Sequence, residues 1–213
     1  MTRILAVADE VDETLEGHKL PALRPDIVLS CGDLPFDYLE YLVSTLDVPL
    51  LYVPGNHDPS LKPVDPSWAP LQLDEPVQGP RGCQSVDGRV IEAAGMRIAG
   101  LGGSARYRRG VNQYTQGEMR RRALTLELRI RLKRVPHGGR RLDILVTHAP
   151  PFGIASAQDA AHAGFVAFER LIMSFGPLLA VHGHVHPYGR SQPERSIGST
   201  RVLNAVPSRL IEV

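Results

Sequence analysis

Carboxylates, an amide and imidazoles recur in this 213-residue chain where apolar runs end. Asp9 follows the run 3–8, and Asp33 follows 26–30 in Cys31-Gly32-Asp33. Asn56-His57-Asp58 follows 50–53 after Pro54-Gly55, and His148 ends the run 142–147. His184 and His186 follow 178–182 in Gly183-His184-Val185-His186. Imidazoles with carboxylates suit Mn, Fe or Zn, and a set without thiolate argues against a purely structural zinc site. Two Asp, one Asn and three His, with His57 besides, exceed what one ion needs. Two ions about 3.5–4 Å apart that share a carboxylate would use them all, generate a hydroxide nucleophile and clamp a phosphoryl group during displacement. His57 is then free to protonate a leaving alkoxide or to stabilise charge on phosphate. Asp58 can hold the His57 ring in one tautomer.

Such residues need rigid carriers. Short β-branched runs at 3–8, 26–30, 50–53, 89–93, 96–101, 142–147, 178–182, 201–205 and 209–213 read as strands. Several are apolar throughout, as strands buried on both faces are. Helical stripes lie between them: Phe36, Leu39, Leu42, Val43 and Leu46; then Met119, Ala123, Leu126 and Ile130; then Phe165, Phe168, Leu171 and Ile172. Alternation of strand and helix predicts an α/β layered fold, in which ligands bind beyond the carboxyl ends of the strands. Gly32, Gly55 and Gly183 stand where the backbone must turn sharply beside the site. Ala94-Gly95 predicts a two-residue hairpin. The proline-rich stretch 59–82 is expected to be an ordered surface loop, with Trp68, Leu71 and Leu73 to bury. With no repeat and no linker, a single domain over 1–213 is expected.

Composition narrows the partners. Lys and Arg number 24 against 23 Asp and Glu, a net charge of +1, so charge alone implies neither nucleic acid nor membrane. The arginine-rich stretch 120–134 reads as the solvated face of a helix. No apolar run is long enough to span a bilayer. Asp9, Glu10, Asp12 and Glu13 follow the first run at once, which suits a strand rather than a signal-peptide core, so the cytoplasm is the expected location. Cys31 and Cys83 have no metal-binding spacing and are expected as free thiols.

The order Asp…Gly-Asp…Gly-Asn-His-Asp…His…Gly-His-x-His, running from Asp9 to His186, resembles the calcineurin-like metallophosphoesterase superfamily in its small bacterial and archaeal type. Gly-Asn-His-Asp and Gly-His-Val-His in one chain and in this order are highly specific. Gly102-Gly103-Ser104 with Tyr107, Asn112, Gln113, Tyr114 and Thr115 looks like the same members. The resemblance implies an α/β four-layer αββα sandwich, two mixed β-sheets flanked by helices, with a dinuclear site at the sheet edges. It implies Asp33 as the bridging ligand, Asn56, His148 and His184 completing one metal, Asp9 and His186 on the other, and His57 as the catalytic histidine. The activity implied is hydrolysis of a phosphodiester or small organic phosphate by a metal-activated hydroxide. Two divalent ions are expected, Mn first, with Fe or Zn as alternatives.

One position departs from the family pattern. Its first motif is Asp-x-His, and here it reads Asp9-Glu10-Val11. Val11 cannot ligate. Asp12 or Glu10 can supply a substitute oxygen, water can fill the position and weaken the first site, or the protein can work with one ion. The intact remainder of the set favours water or a carboxylate, either of which shifts preference toward Mn. Two other readings follow: a catalytically weak or inactive metal-binding scaffold of the same fold, and a nuclease using the 120–134 stretch, which would show steep salt dependence of binding. His182, within a run, reads as a core histidine. His162 reads equally as a helix cap or a substrate-pocket group, and Asn204 is assigned no role.

Overall fold

The computed structural model describes residues 1–60, 79–135, 139–154, 162–187 and 194–213. The expected loop over 59–82 falls largely in 61–78, and Trp68, Leu71 and Leu73 lie outside the described residues. The strands are β1 (Arg3–Val7), β2 (Ile27–Ser30), β3 (Leu50–Tyr52), β4 (Cys83–Ser85), β5 (Val90–Ala93), β6 (Met96–Leu101) and β7 (Ser104–Ala105). They continue as β8 (Gln113–Tyr114), β9 (Ile144–Thr147), β10 (Leu179–His182), β11 (Arg195–Ile197), β12 (Thr200–Asn204) and β13 (Ser208–Glu212). The helices are α1 (Lys19–Ala22), α2 (Phe36–Leu46), α3 (Gln116–Leu132) and α4 (Val166–Phe175).

Two mixed sheets form. The first has the order β13-β1-β2-β3-β4, and only β13 runs antiparallel to its neighbour. The second has the order β11-β12-β10-β9-β6-β5, with β12, β10, β9 and β6 parallel and antiparallel strands at both edges. Alternation along the strands explains why the runs are apolar on both faces. Ile4, Ala6, Ile27 and Leu29 of the first sheet pack with Ile98, Ile144, Val146 and Val181 of the second in one shared core. Their neighbours turn the other way: Leu5, Val7 and Val28 pack under Leu20 of α1 and Leu39 and Leu42 of α2. On the far side, Leu101, Leu145 and Ala180 pack under Met119 and Leu126 of α3 and Phe168 and Leu171 of α4. Helices, sheet, sheet, helices: the molecule is a four-layer αββα sandwich.

Local signals set the ends of these elements. Thr115 and Glu118 form a capping box at the start of α3. Gly176, at φ +52°, closes α4 in the left-handed conformation that glycine adopts without penalty. The predicted hairpin joins β5 to β6, with Ala93 opposite Met96 and positive φ at both Ala94 and Gly95. The arginines of α3 do more than face solvent. Arg122 pairs with both oxygens of Asp87 and donates to the Gly102 carbonyl, Arg131 pairs with Glu127, and Arg129 donates to the Gly88 carbonyl. Among the described residues, no helix is long and apolar enough to cross a membrane.

What matters for the site is that β1, β2 and β3 end level with one another. Val7 pairs with Ser30 and Ser30 with Tyr52. In the second sheet Val146 lies beside Val181, and His182 beside Asn204. The carboxyl ends of these parallel strands, from both sheets, share one edge of the sandwich.

Candidate metal centre

At that edge the chain leaves β1, β2 and β10 through strained turns. Asp9, Asp33 and His184 all have positive φ, +60°, +57° and +68°. Left-handed backbone at residues with a Cβ costs on the order of 1–3 kcal/mol each and persists where surrounding contacts enforce it. Those contacts are specific. The Asp9 amide donates to the Gly32 carbonyl at 3.1 Å, and the Gly183 amide to the His148 carbonyl at 2.9 Å, which extends the pairing beyond the strand ends. Gly55 lies so close to the Asp33 carboxylate that a Cβ would come within 2.1 Å of Oδ1, and a Cβ on Gly183 would come within 2.3 Å of Asp9 Oδ2.

His148 sits at the middle, fully buried. Its Nδ1 lies 2.8 Å from the Cys31 carbonyl, a partner that can only accept, so Nδ1 carries a proton and Nε2 faces the site. Around Nε2 stand Asn56 Oδ1 at 3.0 Å, His184 Nδ1 at 3.1 Å and Asp33 Oδ2 at 3.3 Å. A single Nε2 proton cannot satisfy three acceptors at once. Ligand atoms held about 2.1 Å from a common cation stand about 3–4 Å apart, which is the spacing seen here. One donor atom from each of Asp9, Asp33, His148 and His184 falls within a cluster whose members lie within 4.8 Å of one another.

The electrostatics agree. Burial alone would keep His148 neutral, but its hydrogen bond to Asp33 and the charges of Asp33 and Asp9 push its pKa up to about 9. Burial also presses Asp33 upward, yet the same hydrogen bond, the His148 charge and the His57 amide hold it below the usual carboxylate value. Asp9 goes the other way: burial raises it, despite His148 and the His184 amide, which donates to Oδ2 at 2.8 Å. Buried carboxylates that favour a protonated imidazole make this a point of negative potential, which a divalent cation would also satisfy. The donor set is oxygen and imidazole, which suits Mn, Fe or Zn.

The remaining predicted residues surround this cluster. Asn56 is buried, and its Nδ2 has no hydrogen-bond partner among the described residues. His57 is exposed at the site mouth, its amide donating to Asp33 Oδ1 at 2.7 Å. Asp58 does not serve the His57 ring as expected: among the described residues no hydrogen bond joins them. Its Oδ2 accepts instead from the amides of Gly55 at 2.7 Å and Asp33 at 3.0 Å, so it staples two ligand-bearing turns together. His186 lies at the rim, with Nε2 3.9 Å from Asp9 Oδ1 and Nδ1 2.6 Å from Glu10 Oε1. His162 stands beside His184, ring centres 4.9 Å apart. His182 is a core residue: buried, bonded through Nδ1 to the Gly183 carbonyl, and driven down to about 4 by desolvation.

Two supporting amides carry tasks that the sequence did not assign. Asn112 donates to the Gly55 carbonyl at 2.9 Å and holds the Asn56 turn. Asn204 donates to the Val185 carbonyl at 2.6 Å and so fixes the His184–His186 turn. For Asn204 the available signal was its place at the end of a strand beside β10.

Comparisons with known proteins follow the same lines. The model of the family described as calcineurin-like phosphoesterase matches residues 5–188. One solved structure aligns over 96% of this chain and 90% of its own, with a TM-score of 0.61 and 19% identity. A second, TT1561 of Thermus thermophilus, aligns over 96% and 88%, with a TM-score of 0.56 and 18% identity. At these identities the likeness is one of fold. No curated protein matches the chain significantly.

Proposed function

The chain belongs to the calcineurin-like phosphoesterase family, and from that premise we propose that it hydrolyses a phosphodiester or a small organic phosphate with two divalent cations at the shared sheet edge. The reading rests on one observation above the rest: donor atoms of Asp9, Asp33, His148 and His184, drawn from two different sheets, lie within 4.8 Å of one another. In this reading Asp33 would be shared by both cations, Asn56, His148 and His184 would complete one site, and Asp9 and His186 would serve the other, with Mn²⁺ as the first choice and Fe²⁺ or Zn²⁺ as alternatives. Bound divalent cations supply water of lowered pKa and neutralise phosphate oxygens. Water that has given one proton to solvent would add through its oxygen to phosphorus as the bond to the leaving oxygen breaks, and His57 would give that leaving oxygen a proton. His57 suits the task because its ring is exposed at the mouth while its amide is anchored on Asp33. Asp58 keeps that turn in place. The whole of 1–213 acts as one domain.

Val11, where the family carries an imidazole, favours a second reading in which the fold is kept as a metal-binding scaffold with negligible turnover. The nuclease reading loses support, since Arg122, Arg129 and Arg131 are engaged within the molecule. The deciding experiment follows hydrolysis of bis-p-nitrophenyl phosphate by metal-stripped protein across a Mn²⁺ titration, with His57→Ala in parallel. Saturable turnover that rises with Mn²⁺ and falls about 10²–10⁴-fold in the variant is expected. Turnover no greater than that of the variant with Mn²⁺, Fe²⁺ and Zn²⁺ would sink the phosphodiesterase reading and leave the scaffold.

A further inference from the structure

The first ligand motif has lost its imidazole at Val11, whose side chain is largely turned to solvent at 43% exposure. Two acidic neighbours can compensate, and the structure separates them. Asp12 is committed elsewhere: it caps the short helical turn at Glu13–Leu15, accepting from the Thr14 amide at 3.0 Å and hydroxyl at 2.6 Å, and it accepts from the Ser208 hydroxyl. Those hydrogen bonds hold its pKa low against the effect of burial. Glu10 faces the site instead, with Oε1 2.6 Å from His186 Nδ1.

That contact has a direction. A carboxylate only accepts, so Nδ1 of His186 is the protonated nitrogen and Nε2 is left as the donor atom facing Asp9. His186 Nε2 lies 3.9 Å from Asp9 Oδ1. Two ligand atoms bound at about 2.1 Å each span at most about 4.2 Å, so one cation can take both. Imidazoles that ligate metals commonly give their other N–H to a carboxylate, which fixes ring orientation and raises basicity. The need for such a clamp is greater here, because the His186 side chain is 35% exposed, whereas that of His148 is fully buried.

We infer that Glu10 is a positioning residue for the cation site of Asp9 and His186: it holds His186 with Nε2 toward Asp9, and this clamp, not a replacement ligand, keeps the site usable without the imidazole missing at Val11. The inference rests on the two-cation reading above. The site so built has one imidazole and carboxylate oxygens from Asp9 and Asp33, with solvent free to complete it. It is the weaker and more exchangeable of the two, and its oxygen-rich character suits Mn²⁺ or Mg²⁺ better than Zn²⁺.

The test counts bound Mn²⁺ on the metal-stripped full chain, from the electron paramagnetic resonance signal of free Mn²⁺ during a titration. Wild type is expected to bind two ions with separable affinities. Glu10→Ala should weaken only the weaker ion, by about 10–100-fold. Glu10→Gln, which keeps an acceptor for Nδ1–H, should stay within a few-fold of wild type, and Asp12→Ala should bind both ions normally while melting at lower temperature. Two unaltered ions in Glu10→Ala would overturn the inference. A loss in Glu10→Gln as deep as in Glu10→Ala would overturn it too, by putting the carboxylate charge at the ion itself. A single ion in wild type would overturn it while leaving the His148 centre standing, whereas no bound ion would remove both. Glu10 is exposed and outside every regular element, so melting in chelator should match wild type and exclude misfolding as the cause.

Discussion

At the scale of single residues, the site is a set of conflicts that a bound cation would resolve. His148 is buried beside two carboxylates and carries a pKa pushed up to about 9, while His182, one strand away, is driven down to about 4. Both have ordinary values near 6.5 once unfolded. His148 holds its proton more tightly when folded, so its stabilisation is complete below about pH 6.5 and disappears as pH rises through about 9. His182 holds its proton less tightly, so its stabilisation is present above about pH 6.5 and lost as pH falls toward about 4. Metal-stripped protein is therefore expected to be most stable near pH 6.5 and to lose on the order of a few kcal/mol toward pH 9. Urea denaturation in chelator across pH 5–9 checks this, with His148→Gln expected to flatten the alkaline limb. A flat alkaline limb in wild type would remove the coupling to Asp33. With metal present the limb should reverse, because cations compete with the His148 proton and bind more tightly as pH rises.

At the scale of elements, the ligands depend on turns that fit only with glycine. Gly183 separates β10 from His184, and a Cβ there would meet Asp9 Oδ2 at 2.3 Å and the Ala8 Cβ at 2.7 Å. Gly183→Ala should displace the Asp9 carboxylate, weaken Mn²⁺ binding by about tenfold or more and cost roughly 1–3 kcal/mol of stability. Gly117→Ala, in the first turn of α3 with open space around it, is the control and should stabilise by about 0.5–1 kcal/mol. Mn²⁺ isotherms and chelator melts of the two variants decide the matter, and normal affinity in Gly183→Ala would show that the turn can relax. The same elements show what the sequence made legible. The strands carrying Asp9, Asp33, Asn56, His148 and His184 were readable because both-face burial makes them apolar without interruption. Three amphipathic helices were readable from their 3.6-residue stripes. Cys83–Ser85 and Arg195–Ile197 at sheet edges, and Ser104–Ala105 paired with Gln113–Tyr114 in a separate two-stranded sheet, were not, since such short strands have no pattern long enough to register. Likewise, spacing alone placed Asp58 next to His57, but only the folded turns show its carboxylate tied to the Gly55 and Asp33 amides.

At the scale of the whole molecule, the candidate centre would also act as a fastener. Asp9, Asp33 and Asn56 follow strands of the first sheet, and His148, His184 and His186 follow strands of the second. Between the sheets the contact is apolar and without direction, so hydrophobic packing alone leaves the relative position of the two edges weakly defined. Direct polar contacts from His148 to Cys31, Asn56 and Asp33 span that gap at 2.8–3.3 Å. A cation held by both sheets binds the folded state only, and at a free concentration of 100 times its dissociation constant it stabilises by about 2.7 kcal/mol. For a chain of this length that corresponds to a rise in melting temperature of roughly 5–10 °C. Asp33→Asn and His148→Gln lie on opposite sheets, yet each should abolish the rise, because either change breaks the bridge. Scanning calorimetry of wild type and both variants, with and without Mn²⁺, provides the check. A rise that survives in one variant but not the other would place the cation on a single sheet. The sandwich edge would then be a surface that carries a metal, not a seam that the metal closes.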